Sequence, residues 1–281
     1  VYSRASRYLI QCKEIQSLAS QGWTLKQIDK NGIKVPSPAT DRLCVAAKKA
    51  HAYVVIGFTE VDTLFPGTLY LSQLFISDLG EIMGVHRKMV PTETEKLVFS
   101  NGDGSYLNVY DTTYGKLSAL NCGEHARSLY KYALLAMGTQ IHVASWPSFP
   151  ENLYGEKQRN SVDFRVRQFA HEGKIFMISS CSIMDEQNIA FCCDTQEEKE
   201  NIIENSGGGS AIIGPNGGYL APGPFIRERG CLLLKFPWKT PFPVNRLTMY
   251  SATILAMKCS TLISTGKGSP PLNSRHLRRM P

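Results

Sequence analysis

A compact α/β fold is what this sequence predicts, on three observations. Runs rich in β-branched and aromatic residues recur, Tyr53–Phe58 and Leu69–Ile76 foremost, and such side chains pack well on a pleated sheet while carrying entropy costs in helices. Stretches of helical period separate these runs. The residue mix, 43% hydrophobic with 20% charged, supplies a core and is unlike that of disordered chains. At 281 residues the length suits one large domain.

In chain order, Tyr8–Leu25 has apolar residues at helical intervals, followed by turn-rich sequence through Pro36, Ser37 and Pro38. Thr40 or Asp41 can cap a second helix whose small face, Leu43, Val45, Ala46, Ala47 and Ala50, suits packing on a sheet. Tyr53–Phe58 and Leu69–Ile76 read as strands, with a turn at Asp78–Gly80 before a further run, Ile82–Val85. Leu107–Tyr110 turns through Thr112–Gly115 into Lys116–Asn121. The period then changes: Ala126, Leu129, Tyr130, Ala133, Leu134 and Met137 form an apolar stripe that Gly138 terminates, before strand Ile141–Ala144. After a Pro-containing loop at Trp146–Pro150 come a mixed-polarity helix over Asn160–His171 and a strand over Lys174–Ser179. Glu197–Glu204 reads as a solvated acidic loop, Gly207–Gly209 as a tight chain path before Ala211–Ile213, and Arg229–Leu234 as a last strand.

Several function classes are disfavoured. The net charge of +7 is concentrated: from Ile226 onward ten Lys or Arg face one acid, Glu228, so the rest of the chain carries −2 and offers no footprint for nucleic acid. No run of apolar residues is long enough for a membrane span, and no secretion signal opens the chain. Val1 leads directly into sequence that reads as mid-domain, the expectation for a processed or truncated product. The eight cysteines are scattered, which favours thiols in a reducing compartment over a disulfide framework. Neither they nor the six histidines show zinc-ligand spacing, so no metal is expected. The glycines near 207 match no phosphate-binding loop.

The chemistry-bearing candidate is Cys122, which follows a strand-like run and precedes the helical stripe. A thiol near the positive end of a helix is stabilised as thiolate, the form that attacks electrophilic carbon. The bland alternative is a small buried hydrophobe. Upstream, Lys88 can stabilise charge developing on an attacked nitrogen or oxygen, and Glu95 can hold a local proton network; a charged loop without a catalytic task competes with that reading.

Four pieces in order, His86-Arg87-Lys88 with Pro91-Thr92 and Glu95, then Asn101–Ser105, then Leu120–His125, then Gln140–Pro147, make the chain resemble the nitrilase branch of the carbon-nitrogen hydrolase superfamily. The match runs from about Pro36 through Pro222. The Cys-x-Glu-His form further resembles fungal nitrilases and cyanide hydratases. This resemblance implies a four-layer α-β-β-α sandwich lacking the family's first strand and helix, over an incomplete domain at 1–236, with a divergent basic tail at 237–281 that is open to disorder. It implies Cys122 as nucleophile, Lys88 as cationic stabiliser and proton participant, and Glu95 as supporting carboxylate, with Gly123, Glu124, His125, Trp146 and Pro147 lining or supporting the pocket. It implies no metal or organic cofactor, a small nitrile substrate, and a homodimer or longer helical homo-oligomer built on Ala126–Met137 and Asn160–His171, while free-thiol chemistry favours cytoplasmic residence. The implied reaction converts a nitrile to carboxylate and ammonia through a thioimidate and a thioester. Cyanide hydratase, amidase and an inactive assembly subunit are the alternatives.

Three departures bear on activity. The family's general-base glutamate lies upstream of the segment matched here; no equivalent precedes Tyr8, and Glu14 lies in a predicted helix, so the base is expected to be absent from this chain and activity to suffer. Loss of the first strand should also leave a sheet edge open. Gly123 stands where the pattern usually has Trp, which removes apolar surface beside the nucleophile. Beyond Leu220 the family's acidic segment gives way to Pro237, Pro241, Pro243 and the acid-poor tail.

Overall fold

The computed structural model describes residues 32–147, 158–182, 189–190, 193–205, 208–221, 232–238 and 249–256. The helix expected over Tyr8–Leu25 lies outside these residues.

Helix α1 (Pro38–Ala50) starts from Ser37, which shares a reciprocal capping box with Thr40; Ser37 is therefore the cap, where Thr40 or Asp41 was expected. Its inward face is also corrected. Thr40, Leu43, Cys44 and Ala47, at helical spacing, turn inward, whereas Val45 is 68% exposed. Strands β1 (Val54–Val61), β2 (Leu69–Ile76) and β3 (Ile82–Arg87) form an antiparallel meander. Alternation sorts β2: Leu74 and Ile76 pack under α1, while Phe75 faces the second sheet. The outer edge of β1 carries, among the described residues, an isolated bridge from Ile33 to Glu60.

The second sheet has five strands, β4 (Tyr110–Thr112), β5 (Gly115–Asn121), β6 (Ile141–Trp146), β7 (Phe176–Cys181) and β8 (Ala211–Ile213) in that order. Its central strands β5, β6 and β7 are parallel, and the edges are antiparallel. Parallel neighbours need crossover elements, supplied by α2 (Ser128–Ala136) after β5 and α3 (Gln158–Gly173) after β6. Phe75 meets Leu117, Ala119, Ile141 and Val143 between the sheets. Val162, Val166, Phe169 and Ala170 of α3 cover the far face of the second sheet. The layers are thus α-β-β-α, the predicted sandwich.

Two expectations change. Glu197–Glu204 falls within a helix, α4 (Gln196–Asn205), instead of a loop. The Thr195 hydroxyl accepts from Glu198 N, the Glu198 carboxylate accepts from Thr195 N, and Ile202 is buried at 1% exposure; a capping box and one anchored apolar residue offset the acidic repulsion. Toward the C-terminus, β9 (Leu232–Trp238) pairs antiparallel with β10 (Met249–Ala256). Strand pairing therefore crosses residue 237 and enters the segment read as a tail.

Candidate active site

Three loops at one end of the sandwich meet at the predicted residues. Strand β3 ends in His86 and Arg87, and Lys88 N still donates to Leu71 O at 2.8 Å, which extends the pairing one residue further. Successive side chains alternate, so Arg87 takes the opposite side from its neighbours. Its guanidinium reaches Glu60 Oε1 at 2.5 Å and Asp62 Oδ2 at 3.2 Å, between the rings of Tyr70 and Tyr106 at 4.0 and 4.4 Å. Ion pairing and ring stacking together pin the strand end that presents Lys88.

Lys88 is 2% exposed. An ammonium so buried requires a counter-charge, and Glu95 Oε2 lies 2.5 Å from Nζ. The same oxygen accepts from Thr92 N at 2.5 Å, as part of the capping box that starts the 3-10 turn Glu93–Leu97. The structure therefore brings Lys88 and Glu95 together. Gly102 packs on the Lys88 backbone: its N–H donates to Lys88 O at 2.8 Å, and a Cβ there would lie 2.5 Å from Arg87 O. That is a physical reason for glycine within Asn101–Ser105.

Cys122 follows β5 on a left-handed backbone, φ +47°, and is 8% exposed. Non-glycine residues adopt this region at a cost, and such strain is frequent at functional sites. One expectation fails here. Cys122 does not sit at the start of the long helix, because a five-residue 3-10 turn, Cys122–Ala126, intervenes before α2 begins at Ser128. The macrodipole of α2 is thus not what faces the thiol, since that effect fades within one turn. Gly123 lies against the Lys88–Glu95 loop: a Cβ on it would stand 3.1 Å from Thr92 Oγ1.

Glu124 ties nucleophile loop to lysine loop. It is 2% exposed, and its carboxylate accepts from Met89 N at 2.9 Å, Asn121 N at 2.7 Å and His86 Nε2 at 2.9 Å. His86 Nδ1 faces Tyr106 O at 3.0 Å, so both ring nitrogens meet acceptors and both donate. Burial by itself would raise the Glu124 carboxyl; the His86 hydrogen bond and charge, with the Met89 and Asn121 N–H groups, outweigh it and hold the group below the ordinary range. Because Met89 adjoins Lys88, one side chain sets the spacing between the two candidate catalytic segments.

His125 is 1% exposed; its Nδ1 donates to Cys122 O at 3.0 Å, and its ring lies 4.8 Å from that of Trp146. Burial, against that hydrogen bond, pushes His125 down to about 4 and His142 well below its usual value. Trp146, 4% exposed at the end of β6, packs among Val162, Val166 and Cys122. It supports the elbow from the helix side, and Pro147 follows where β6 ends. Reading the motifs did not single out His142, Ser118 or Gln73. Gln73 Nε2 joins the sheets through Ser145 Oγ at 2.8 Å, and its polar place on the inward face of an apolar strand was the available signal. Among the described residues no group of three or more His, Cys, Asp or Glu could hold a metal ion, and no helix is long and apolar enough to cross a membrane.

The model of the carbon-nitrogen hydrolase family matches residues 13–228. An aliphatic nitrilase of Rhodococcus rhodochrous is 37% identical over 207 residues, 72% of this chain and 55% of that protein. A nitrilase of Pseudomonas syringae pv. syringae is 34% identical over 224 residues, 76% and 64% of the two chains. A cyanide hydratase of Stereum hirsutum is 44% identical over 127 residues, 45% and 33%. The chain thus spans between half and two thirds of the length of the two nitrilases. Among solved structures, a Saccharomyces cerevisiae member of branch 10 of the nitrilase superfamily superposes with TM-score 0.54 at 17% identity, covering 71% of this chain and 67% of that one. An amidase from Nesterenkonia sp. gives 0.54 at 20%, covering 76% and 69%. These two likenesses concern the fold, whose layers are those described above. With the family model matched over most of its length, the chain belongs to the carbon-nitrogen hydrolase family, in its nitrilase branch.

Proposed function

We propose that the protein hydrolyses a small organic nitrile to carboxylate and ammonia, with Cys122 as nucleophile, Lys88 as cationic stabiliser and Glu95 as its supporting carboxylate. The observation that supports this reading is the Glu124 carboxylate, which bonds at once to the N–H groups of Met89 and Asn121, the chain neighbours of Lys88 and Cys122, and so ties the two segments together. Nitrilases among the relatives support the substrate class. In the reaction the Cys122 thiolate adds to the nitrile carbon, the nitrogen takes a proton, and a thioimidate forms. Water adds to that carbon, ammonia leaves with the C–N electron pair and a proton, and the thioester that remains is hydrolysed by a second water. The Lys88 ammonium faces the charge that builds on nitrogen, and Glu95 holds that ammonium in place.

Ammonia release from a panel of small nitriles, run beside Cys122→Ala, tests the assignment. Release that depends on Cys122 is expected; equal rates for the two proteins overturn its role. The cyanide hydratase likeness supports a second reading, in which the tetrahedral intermediate loses sulfur instead of nitrogen. Formamide from cyanide, without ammonia, would select it. Residues 1–236 are proposed as an incomplete carbon-nitrogen hydrolase domain, and cytoplasmic residence is proposed from the scattered cysteines.

Assembly as a homodimer or longer helical homo-oligomer is proposed through α2 and α3. Leu129 and Tyr132 on α2 and Phe164 on α3 are 79%, 72% and 68% exposed, a cost in water that a second copy would remove. Sedimentation at micromolar concentration should find dimers or larger species, and a folded monomer would refute this.

A further inference from the structure

Behind the Cys122 elbow a line of polar side chains runs through the helix-facing side of the second sheet and ends on the carbonyl of Cys122 itself. His125 Nδ1 lies 3.0 Å from that carbonyl, and His125 Nε2 lies 3.1 Å from His142 Nε2. His142 Nδ1 lies 2.7 Å from Ser118 Oγ, and Thr139 Oγ1 lies 3.0 Å from the same Ser118 Oγ. None of the four side chains is more than 5% exposed, so water cannot readily substitute for a missing partner.

The direction of the links between Ser118 and Cys122 follows from the Cys122 carbonyl. A carbonyl oxygen only accepts, so His125 carries its proton on Nδ1. A neutral imidazole then has a bare Nε2, which must be met by a proton on His142 Nε2. His142 in turn has a bare Nδ1 and takes the Ser118 hydroxyl proton, while the Thr139 hydroxyl beside Ser118 gives its single proton to Leu134 O at 2.9 Å. One proton serves each link from Ser118 to the Cys122 carbonyl, and the two histidines hold opposite tautomers. Phe169 closes the space around both rings, at 6.5 Å from His125 and 5.0 Å from His142.

We infer that His142 is a positioning residue for the nucleophile: it fixes the Nδ1–H tautomer of His125, which holds the Cys122 carbonyl and, through it, the left-handed elbow. His142 touches neither the thiol nor any reacting atom. Its importance lies in the alternative. With the proton on His125 Nε2, a bare nitrogen would face the Cys122 carbonyl, two acceptors would repel, and the φ of +47° would lose its anchor. Misplacement of a nucleophile by about 1 Å can cost on the order of a hundredfold in rate, so a tautomer choice two side chains away reaches the reaction. The inference rests on the nitrilase reading only in calling Cys122 the nucleophile.

The test reads tautomer and thiol geometry without any nitrile. Nitrogen-15 spectra of the wild-type protein, labelled at histidine, should show one imidazole protonated at Nδ1 and coupled to one protonated at Nε2. Alkylation of Cys122 by iodoacetamide, followed on its peptide by mass spectrometry, should slow about tenfold or more in His142→Met. It should stay near wild type in His142→Gln, whose amide can still donate to His125. In His125→Asn the side-chain amide donates to the Cys122 carbonyl unaided, so adding His142→Met to that variant should change alkylation little. A role in packing alone would slow both Met-containing proteins alike and would defeat the inference. So would wild-type alkylation rates in His142→Met, or a wild-type spectrum with His125 protonated at Nε2, a reading available even if a variant fails to fold. Absence of nitrile turnover with both tautomers as assigned would strike the proposed reaction and leave this inference standing.

Discussion

Glu124→Gln removes one negative charge from the node that joins the two candidate catalytic segments and leaves the shape almost unchanged. The carboxylate accepts three hydrogen bonds, from Met89 N, Asn121 N and His86 Nε2. A glutamine has one oxygen. If that oxygen takes the His86 and Asn121 side, the amide N–H groups point at Met89 N; if it takes Met89, they point at Asn121 N. Either way a buried N–H meets a donor, at about 1–3 kcal/mol, and His86 loses its counter-charge. Breaking a buried charged pair from one side costs about 3–5 kcal/mol, and because these contributions overlap a total near 4 kcal/mol is expected, against roughly 5–15 kcal/mol of total stability for a typical domain. Urea unfolding followed by tryptophan fluorescence measures it, and Trp146 beside His125 is a suitable reporter. The variant His86→Gln should lose a comparable amount, and the double variant should cost no more than the worse single one, since the pair is lost only once. A loss below about 1 kcal/mol in Glu124→Gln, or additive losses in the double variant, would refute the coupling role.

Other outcomes follow from the same geometry. Gly102→Ala should destabilise by about 1–3 kcal/mol in the same urea assay, because its Cβ would meet the backbone oxygens of Arg87 and Lys88 at 2.5 and 2.9 Å and neither can move aside cheaply. Stability should fall as pH drops from 6.5 toward 4. His125 titrates at about 4 in the fold against 6.5 in the free group, so the unfolded chain binds the extra proton in that window and the folded state loses about 3 kcal/mol across it. His142 acts in the same direction. Glu124, held below its ordinary 4.5, adds its own loss only at lower pH. Unfolding midpoints that stay flat between pH 6.5 and 4 would contradict the buried neutral state of both rings.

Much of the fold was legible because its signals are local. Leu69–Ile76 reads as a strand and is one, since alternation and β-branching act over a few residues. The α4 helix is hidden by its acidic composition, and two specific hydrogen bonds between Thr195 and Glu198, at capping-box spacing, decide it. The face of α1 is illegible for a related reason: alanines pattern weakly, and the sheet beneath decides that Cys44 turns inward and Val45 outward.

For the site, the identities and order of Lys88, Glu95 and Cys122, and the chemistry their side chains can perform, are written in the chain's letters. It took the packed fold to bring Met89 and Asn121 onto one carboxylate, to put a 3-10 turn between the thiol and α2, and to set His142 against His125 end to end. A side chain's reactivity belongs to its own atoms and can be read from a letter. Which donor faces which acceptor depends on strands and loops distant in sequence being folded together and closed to water, so hydrogen bonds of that kind become visible only when the sheets have packed.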